Sequence, residues 1–448
     1  MSFVLHRDLR KPPPQLARGD GNYLVDAAGR RYFDASGGAA VSCLGHSDDR
    51  IGAAISAQLS QAAFAHTGFF SNDPSERLAE RLVEAAPEGT GHGRIMFVGS
   101  GSEAMEAALK LVRQVQLERG QPSRTRIVSR RLSYHGNTLG ALAVGGHAGR
   151  RAPYEPMLAG CDFIDPCHAY RYRGAAESER DFGRRMADQL ARTIDEIGAE
   201  TVAAFVAEPV AGATLGSQPA AEGYFQRIRE ICDDTGVLFI ADEVMCGTGR
   251  TGTLFALEQE GVHADVTTMA KGLGAGYQPI AAVLASEALC ESIERGSGTL
   301  WNGHTYMSHA AACAGALAVL DVIEEDGLLA NVQSAGRYLG EELRAAFGQH
   351  PNVGDIRGRG LFWSLELVRD RESKAPFAPE DALAPGIKTA TFRRGMLCYP
   401  SQGCVDGRRG DHVLLAPPYA VTHGEIDMIV ERLEDGLTDA LEAVQHHA

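Results

Sequence analysis

The chain has 448 residues, with 43 Lys and Arg against 58 Asp and Glu, which gives a net charge of −15 when histidine is neutral. An acidic chain without a clustered basic face is a poor partner for nucleic acid or an anionic membrane, so we expect small-molecule ligands. Nine cysteines without a CxxC pair favour a reducing, cytoplasmic compartment and predict no metal site, and no stretch approaches the ~18 apolar residues of a membrane span.

Short apolar runs alternate with amphipathic stretches in the middle of the chain. The runs RIMFV, RIVS, TVAAFVAEP, VLFIADE, VTTMAK and IAAVLAS lack the polar alternation of a half-exposed strand, which is typical of strands covered on both faces by helices. The stretches between them, such as GSEAMEAALKLVRQVQLE, have helical periodicity. This alternation predicts an α/β fold with a large domain around a mainly parallel central sheet.

The two ends of the chain have a different pattern. Residues 21–35 alternate like a hairpin that turns at Ala-Gly, and residues 355–367 look like another strand flanked by helical stretches. Together the termini predict a smaller α+β domain. We expect its N-terminal segment in residues 1–55, the large domain in residues 56–320 and its C-terminal part in residues 321–448.

The segment GSGSEA, residues 99–104, follows the first of these apolar runs and opens a helix. Small residues let the backbone approach an anion, and the free N–H groups of a first helical turn favour negative charge, so a phosphate fits there. An ordinary tight turn between strand and helix explains the pattern equally well. GSGSEA also satisfies G-x-G-x-x-A, so a dinucleotide-binding oxidoreductase that uses Arg130 or Arg131 is a second alternative.

Three further features follow predicted strands, at the edge where open parallel sheets bind ligands. Asp242 closes VLFIA, and a buried carboxylate there needs a partner such as a cationic ring nitrogen or the loop backbone. Lys271 closes VTTMA, and desolvation would lower the pKa of its amine and make it nucleophilic, unless the side chain extends into water. Tyr134 and His135 follow IVS, where an aromatic ring either stacks on a flat ligand or packs at the surface.

A phosphorylated aromatic aldehyde would use all four features at once. Pyridoxal 5′-phosphate (PLP) is such a molecule: its phosphate fits the helix N-terminus, its ring nitrogen fits Asp242 and its aldehyde condenses with an amine such as that of Lys271. Its ring would lie against Tyr134. The sequence therefore predicts PLP as the cofactor, with Lys271 and Asp242 as catalytic residues.

Longer stretches carry a family resemblance. They are GNYLVDAAGRRYFDASGG, GSGSEAMEAALKLVR, SYHGNTLGALA, VAEPV, LFIADEVMCGTGRTG, TTMAKGLGAGYQPIAAVL, GHTYMSHAAACAGAL and IRGRGLFWSLEL. On these stretches the chain resembles, over almost its full length, the class III (omega-type, subgroup II) PLP-dependent aminotransferases of fold type I. The most specific part is DEV and GRTG followed by AKGLGAGY, with Lys271 29 residues after Asp242.

The resemblance implies roles for individual residues. Ser100, Gly101 and Ser102 would hold the phosphate. Thr305 would reach across the interface of a homodimer to the phosphate of the partner subunit's PLP. The full set of implied cofactor contacts is Ser100, Gly101, Ser102, Tyr134, His135, Glu208, Asp242, Val244, Lys271 and Thr305.

The resemblance also implies an activity. Members of the family transfer the amino group of an amine or omega-amino acid to an oxo acid such as pyruvate or 2-oxoglutarate. The same fold also hosts aminomutases, epimerases and decarboxylases, and the motifs do not exclude these activities. A PLP-binding regulator without catalytic activity is a further alternative.

The substrate-binding residues depart from the family pattern. Many relatives have an arginine before the C-terminal PP motif that binds the acceptor's carboxylate, and ungapped counting gives Gly407 here. Arg408 and Arg409 follow directly, and either would bind the carboxylate or lie in a solvated basic turn.

Small residues also replace larger ones of the family at two places in the chain. Residues 39–40 are both alanine where many amine-using relatives have a tryptophan, and Ala211 replaces a glutamine after EPV. A wider pocket without this polar contact fits a bulky or long-chain amine.

Overall fold

The computed structural model describes residues 3–447 of the chain. No helix in that range is long and apolar enough to cross a membrane. The strands, in chain order, are β1 (Leu16–Asp20), β2 (Tyr23–Asp26), β3 (Arg31–Asp34), β4 (Arg94–Val98), β5 (Arg126–Arg130), β6 (Asp162–Ile164), β7 (Val202–Ala207), β8 (Val210–Ala211), β9 (Gln218–Pro219), β10 (Leu238–Asp242), β11 (Val266–Met269), β12 (Ala281–Ala285), β13 (Val353–Arg359), β14 (Phe362–Leu367), β15 (Met396–Leu397), β16 (Tyr399–Gln402) and β17 (Asp411–Leu415).

Helices connect most of these strands. In chain order they are α1 (Gly37–Ala40), α2 (Asp49–Gln61), α3 (Asp73–Glu84), α4 (Gly101–Glu118), α5 (Leu139–Val144), α6 (Ala148–Arg151), α7 (Ala169–Tyr172), α8 (Glu179–Ile197), α9 (Tyr224–Thr235), α10 (Glu287–Arg295), α11 (Ala310–Glu325), α12 (Leu328–Phe347), α13 (Leu383–Arg393) and α14 (His423–His447).

A seven-stranded sheet forms the centre of the molecule, in the order β4-β12-β11-β10-β7-β5-β6. β10 pairs in parallel with β7 and β11, and β5 pairs in parallel with β6 and β7. β12 runs antiparallel to both of its neighbours, although its apolar sequence resembles that of the parallel strands. The predicted α/β fold with a mainly parallel central sheet is confirmed.

Both faces of this sheet are covered by helices. Phe205 and Phe239 lie on one face in a cluster with residues of α8 and α9. Their neighbours in the chain, Val206 and Ile240, lie in a cluster with α4 on the other face. Alternate side chains of β7 and β10 therefore point to opposite faces of the sheet. Both faces are buried under helices, which explains why these strands are apolar throughout.

The two termini meet in a smaller part of the molecule. β15, from near the C-terminus, pairs in parallel with β3 of the N-terminal hairpin, and Phe33 shares a core with α12, α13 and α14. The hairpin predicted in residues 21–35 is present as β2 and β3. The smaller α+β region built from both termini is thus confirmed, while its boundaries at residues 55 and 320 stay predictions.

The prediction of one strand at residues 355–367 is wrong. This segment belongs to an antiparallel pair, β13 and β14, which continues through β17 to β16 in a separate sheet. Gly360 makes the turn between the paired strands with a φ of +57°, a conformation that glycine adopts without a steric penalty. The residues RGRG at positions 357–360 interrupt the apolar pattern and were the available signal for this turn.

Substitution of glycine by alanine should change the stability of the protein in opposite directions at two helical positions, Gly336 and Gly52. A Cβ atom on Gly336 of α12 would lie 2.2 Å from the carbonyl oxygen of Gly360, whereas one on Gly52 of α2 would have no neighbour within 4 Å. We expect Gly336→Ala to lower the free energy of unfolding by about 1–3 kcal/mol through overpacking. Gly52→Ala should raise it by about 0.5–1 kcal/mol because alanine favours the helix.

Denaturant titration of the two variants and the unmodified protein measures both changes. Gly52→Ala is the control for the general effect of alanine in a helix. Equal effects of the two substitutions would contradict the close packing of α12 on the turn at Gly360.

Candidate active site

A cavity of about 380 Å³ lies at the carboxyl ends of the central strands. Each side chain predicted to act there follows a strand: β4, β5, β7, β10 or β11. Because parallel strands end at the same edge of a sheet, residues far apart in the chain meet there. The predicted residues on the cavity wall are Ser100, Gly101, Ser102, Tyr134, His135, Glu208, Asp242, Val244 and Lys271.

The N-terminus of α4 forms one end of the cavity. Ser100 caps the helix, and its Oγ accepts a hydrogen bond from the N–H of Glu103 at 3.2 Å. A Cβ atom on Gly101 would lie 2.8 Å from Cγ1 of Val244, so the backbone can approach this wall only with glycine. The free N–H groups and the dipole of this 18-residue helix make that end of the cavity suitable for a phosphate.

The carboxylate of Asp242 is buried and held by groups on three sides. Its Oδ2 lies 2.7 Å from Nδ1 of His135, and its Oδ1 accepts hydrogen bonds from the N–H of Val244 at 3.1 Å and the hydroxyl of Thr268 at 3.3 Å. On its other side His135 Nε2 lies 3.3 Å from Oγ of Ser129. These contacts hold the carboxylate in a fixed position, where it offers a partner to a protonated ring nitrogen.

Lys271 begins the loop after β11 in a left-handed backbone conformation, with a φ of +49°. Such a conformation is uncommon for a residue with a side chain and is often found at functional sites. Among the described residues, Lys271 Nζ has no hydrogen-bond or ion-pair partner. Burial lowers the pKa of its amine, although the negative charges of Asp242 and Glu208 oppose this shift. A neutral amine is the nucleophilic form.

Glu208 is buried on the wall of the same cavity as Asp242 and Lys271, and it contacts Arg130. Arg130 donates a hydrogen bond to the Glu208 carbonyl oxygen at 2.6 Å, and its guanidinium lies 3.7 Å from the Glu208 carboxylate. Burial raises the pKa of Glu208, whose Oε2 has no hydrogen-bond partner within the described chain. From the sequence, Arg130 was considered only as a residue that binds a dinucleotide. Its position at the end of an apolar strand could have indicated that it forms a buried ion pair.

Three predicted residues lie outside the cavity. Thr305 is exposed and lines a neighbouring pocket that it shares with Glu103 and Pro279. Arg408 and Arg409 are also exposed, and Arg409 Nε donates to the carboxylate of Asp406 in the same turn at 2.7 Å. The structure therefore does not bring either arginine to Lys271.

The fold and this cavity define a PLP-dependent transferase of fold type I. The sequence profile of the class III aminotransferases matches residues 6–437. An aminotransferase of Schizosaccharomyces pombe is 43% identical over 99% of this chain and 96% of its own length. The diaminobutyrate–2-oxoglutarate transaminase of Halomonas elongata is 35% identical, over 96% of this chain and 92% of its own.

Solved structures agree with the sequence comparisons. The omega transaminase from Pseudomonas jessenii in complex with PMP has a TM-score of 0.91 and 34% identity, and the match covers 99% of this chain and 97% of that one. The chain belongs to the class III aminotransferases. The predicted fold type, the enzyme class and the cofactor PLP are thereby confirmed, and the dinucleotide-binding alternative is wrong.

The lowered pKa of Lys271 predicts its reactivity. An amine reacts with an acylating reagent only when neutral, so in protein freed of PLP Lys271 should begin to react at a lower pH than the exposed Lys110 and Lys388. Competitive labelling at a series of pH values, read by peptide mass spectrometry, gives a midpoint for each lysine. A Lys271 midpoint equal to those of the exposed lysines would show that desolvation does not control its amine.

Proposed function

We propose that this aminotransferase moves the amino group of an amine or omega-amino acid to an oxo acid such as pyruvate or 2-oxoglutarate. The observation that carries the proposal is that Lys271, Asp242 and the N-terminus of α4 line one cavity. A buried amine without a partner, a fixed carboxylate and a helix N-terminus match the aldehyde, ring nitrogen and phosphate of PLP. The chain's own residues therefore fit the cofactor.

Specific residues would hold PLP in this cavity. Ser100, Gly101 and Ser102 would bind the phosphate, because they form the capped first turn of α4. Tyr134 and Val244, both on the cavity wall, would pack on opposite faces of the ring. His135 would act through Asp242, to which it is 2.7 Å distant, and Glu208 would lie near the phenolic side of the ring.

The catalytic roles of Lys271 and Asp242 follow from their surroundings. Lys271 would bind the cofactor covalently, be displaced by the amine of the donor and then, as the free amine, move a proton away from the donor's carbon. The lowered pKa of this amine favours the neutral form, which is the form that a general base needs. PLP, when bound, supplies a ring that accepts the electrons left on that carbon. Asp242 would keep the ring nitrogen protonated, and its contacts with His135 and Thr268 fix the position of its carboxylate.

The pocket favours a large apolar group on the donor. Val41, Ala213 and Met245 contribute to the cavity wall beside the polar residues. Ala211, which stands where many relatives have a glutamine, is buried outside the cavity wall. Residues 39–40, where many relatives have a tryptophan, are alanine and directly precede Val41 of the wall. These features support a bulky or long-chain amine as the donor rather than a small omega-amino acid such as β-alanine.

The absorption spectrum of the purified holoenzyme tests the reaction. PLP bound to lysine has a visible absorption band. A donor amine should remove this band, and pyruvate or 2-oxoglutarate should restore it, because the two half-reactions interconvert two forms of the cofactor. A bulky apolar amine should act at lower concentration than β-alanine. Equal action of the two would contradict the wide pocket, and a band that no amine changes would contradict transamination.

Two variants separate the roles in this experiment. Lys271→Ala should lack both the band and turnover, since the covalent link is lost. Asp242→Asn should retain bound cofactor but lose most of the response to amines, because the ring nitrogen is no longer held protonated. Near-normal turnover of Asp242→Asn would remove its proposed role.

A homodimer with Thr305 acting in trans completes the proposal. Thr305 is exposed, and large apolar side chains near it in the chain are exposed too: Trp301 by 59% and Tyr306 by 66%. The ring of Tyr306 lies 5.5 Å from that of Phe64, which is itself 45% exposed. Such a patch is typical of a protein–protein interface.

Mixed dimers test this arrangement. Thr305→Val should weaken PLP binding, and Lys271→Ala should be inactive. When the two variants are refolded together, a mixed dimer contains one site with Lys271 on one subunit and Thr305 on the other. Activity at limiting PLP should therefore recover on mixing. No recovery, with dimers demonstrated by ultracentrifugation, would place Thr305 in its own subunit's site or in none.

A further inference from the structure

Arg150 lies beside the cavity at the end of α6. Its Cζ is 4.8 Å from the centre of the Tyr134 ring, and Tyr134 belongs to the cavity wall. The Arg150 side chain is only partly exposed. Contact with an aromatic face holds a guanidinium in place without using its N–H donors. All five donors of Arg150 therefore stay available to a ligand.

Arg150 has no acidic partner in the described chain. Its neighbour Arg151 pairs with Glu155 at 3.1 Å, and Arg409 pairs with Asp406 at 2.7 Å. By contrast, no carboxylate of residues 3–446 lies within the 4.0 Å ion-pair distance of the Arg150 guanidinium, and this side chain donates no hydrogen bond there. A partly buried cation without a counter-charge is costly, so this position favours an anionic ligand.

The charge of Arg150 also reaches the reacting amine. Burial is the main reason for the lowered pKa of Lys271, and the positive charge of Arg150 adds to it. The geometric link between the two residues is Tyr134, which lines the cavity together with Lys271 and carries the Arg150 guanidinium on its ring. A substrate held at Lys271 could therefore extend towards this guanidinium.

The turn that contains Arg408 and Arg409 packs directly against α6. A Cβ atom on Gly407 would lie 2.9 Å from the backbone nitrogen of Ala148, and one on Gly149 would lie 2.3 Å from the carbonyl oxygen of Gly407. This packing leaves no room for a side chain at residue 407. The guanidinium near Tyr134 of the cavity wall is that of Arg150, on α6.

We propose that Arg150 binds the carboxylate of the oxo acid acceptor, and that of the donor where the donor is an amino acid. This inference rests on the proposed transamination and deepens it, since it assigns the carboxylate end of the substrate to one residue. A carboxylate accepts two parallel N–H bonds from a guanidinium. The phosphate of PLP offers similar chemistry, but the N-terminus of α4 already provides its donors.

Arg150→Gln tests the proposal in the holoenzyme. Propionate, a carboxylate that cannot react, should bind the unmodified enzyme, and its dissociation constant from calorimetry should rise at least about tenfold in the variant. The KM for pyruvate should rise by a similar factor with little change in kcat. The rate at which 1-phenylethylamine, which has no carboxylate, removes the visible band should stay within about twofold.

Two further variants serve as controls for Arg150→Gln. Arg192→Gln removes the charge of an exposed arginine on α8, far along the chain from the site, and should leave both constants unchanged. Arg150→Lys keeps the charge but loses the paired N–H donors, so propionate affinity should fall between those of the unmodified enzyme and Arg150→Gln.

Three results would overturn the proposal. The first is unchanged propionate affinity in Arg150→Gln. The second is an equal loss of activity with pyruvate and with 1-phenylethylamine. The third is a higher dissociation constant for PLP with unchanged propionate binding, which would assign Arg150 to the phosphate. Propionate binding needs no turnover, so failure of transamination itself would appear separately, as a band that no amine removes from the unmodified enzyme.

Discussion

The site depends on the register between two neighbouring parallel strands. Asp242, the last residue of β10, lies opposite Thr268 of β11, whose hydroxyl donates to its carboxylate at 3.3 Å. Lys271 follows three residues after Thr268, beyond the end of the same strand. A shift of one residue in this pairing would turn the side chains of one strand to the opposite face of the sheet. The distance between an acid and an amine 29 residues apart in sequence is therefore set by backbone hydrogen bonds.

Burial of these two groups explains why the chain needs a cofactor there. Neither residue has its charge neutralised by an ion pair with the other, although both face one cavity. In a medium of low dielectric constant, a buried amine without a partner is costly, and the carboxylate has only the hydrogen-bonding groups of His135, Val244 and Thr268 around it. PLP suits both, because a protonated ring nitrogen pairs with the acid and an aldehyde consumes the neutral amine. The same burial that lowers the pKa of the nucleophile thus also favours this ligand.

Sequence patterns predicted what depends on local chemistry and missed what depends on pairing between distant segments. Apolar runs gave the buried strands, and the small residues before α4 indicated the anion site. The antiparallel direction of β12 was not predictable, since a strand buried on both faces is apolar in either direction. The turn at Gly360 was interpreted as part of a single strand, although the segment RGRG interrupts the apolar pattern there. The contact between Arg130 and Glu208 joins the ends of two strands that are 78 residues apart. Local periodicity contains no information on such partners.

The placement of Arg150 illustrates the same limit at the level of specificity. An ungapped comparison with the family looks for an arginine near residue 407, but the space there is filled by the backbone of α6. Because α6 and the turn at residue 407 pack together, either segment could place a guanidinium near the cavity. The packing between them determines which of the two segments has room for the arginine. The proposed carboxylate contact lies on α6, which packs against the turn at residue 407, while the acid ends one central strand and the reacting amine follows the end of the next. The proposal thus assigns substrate specificity to segments outside the sheet and the reaction to the ends of its strands.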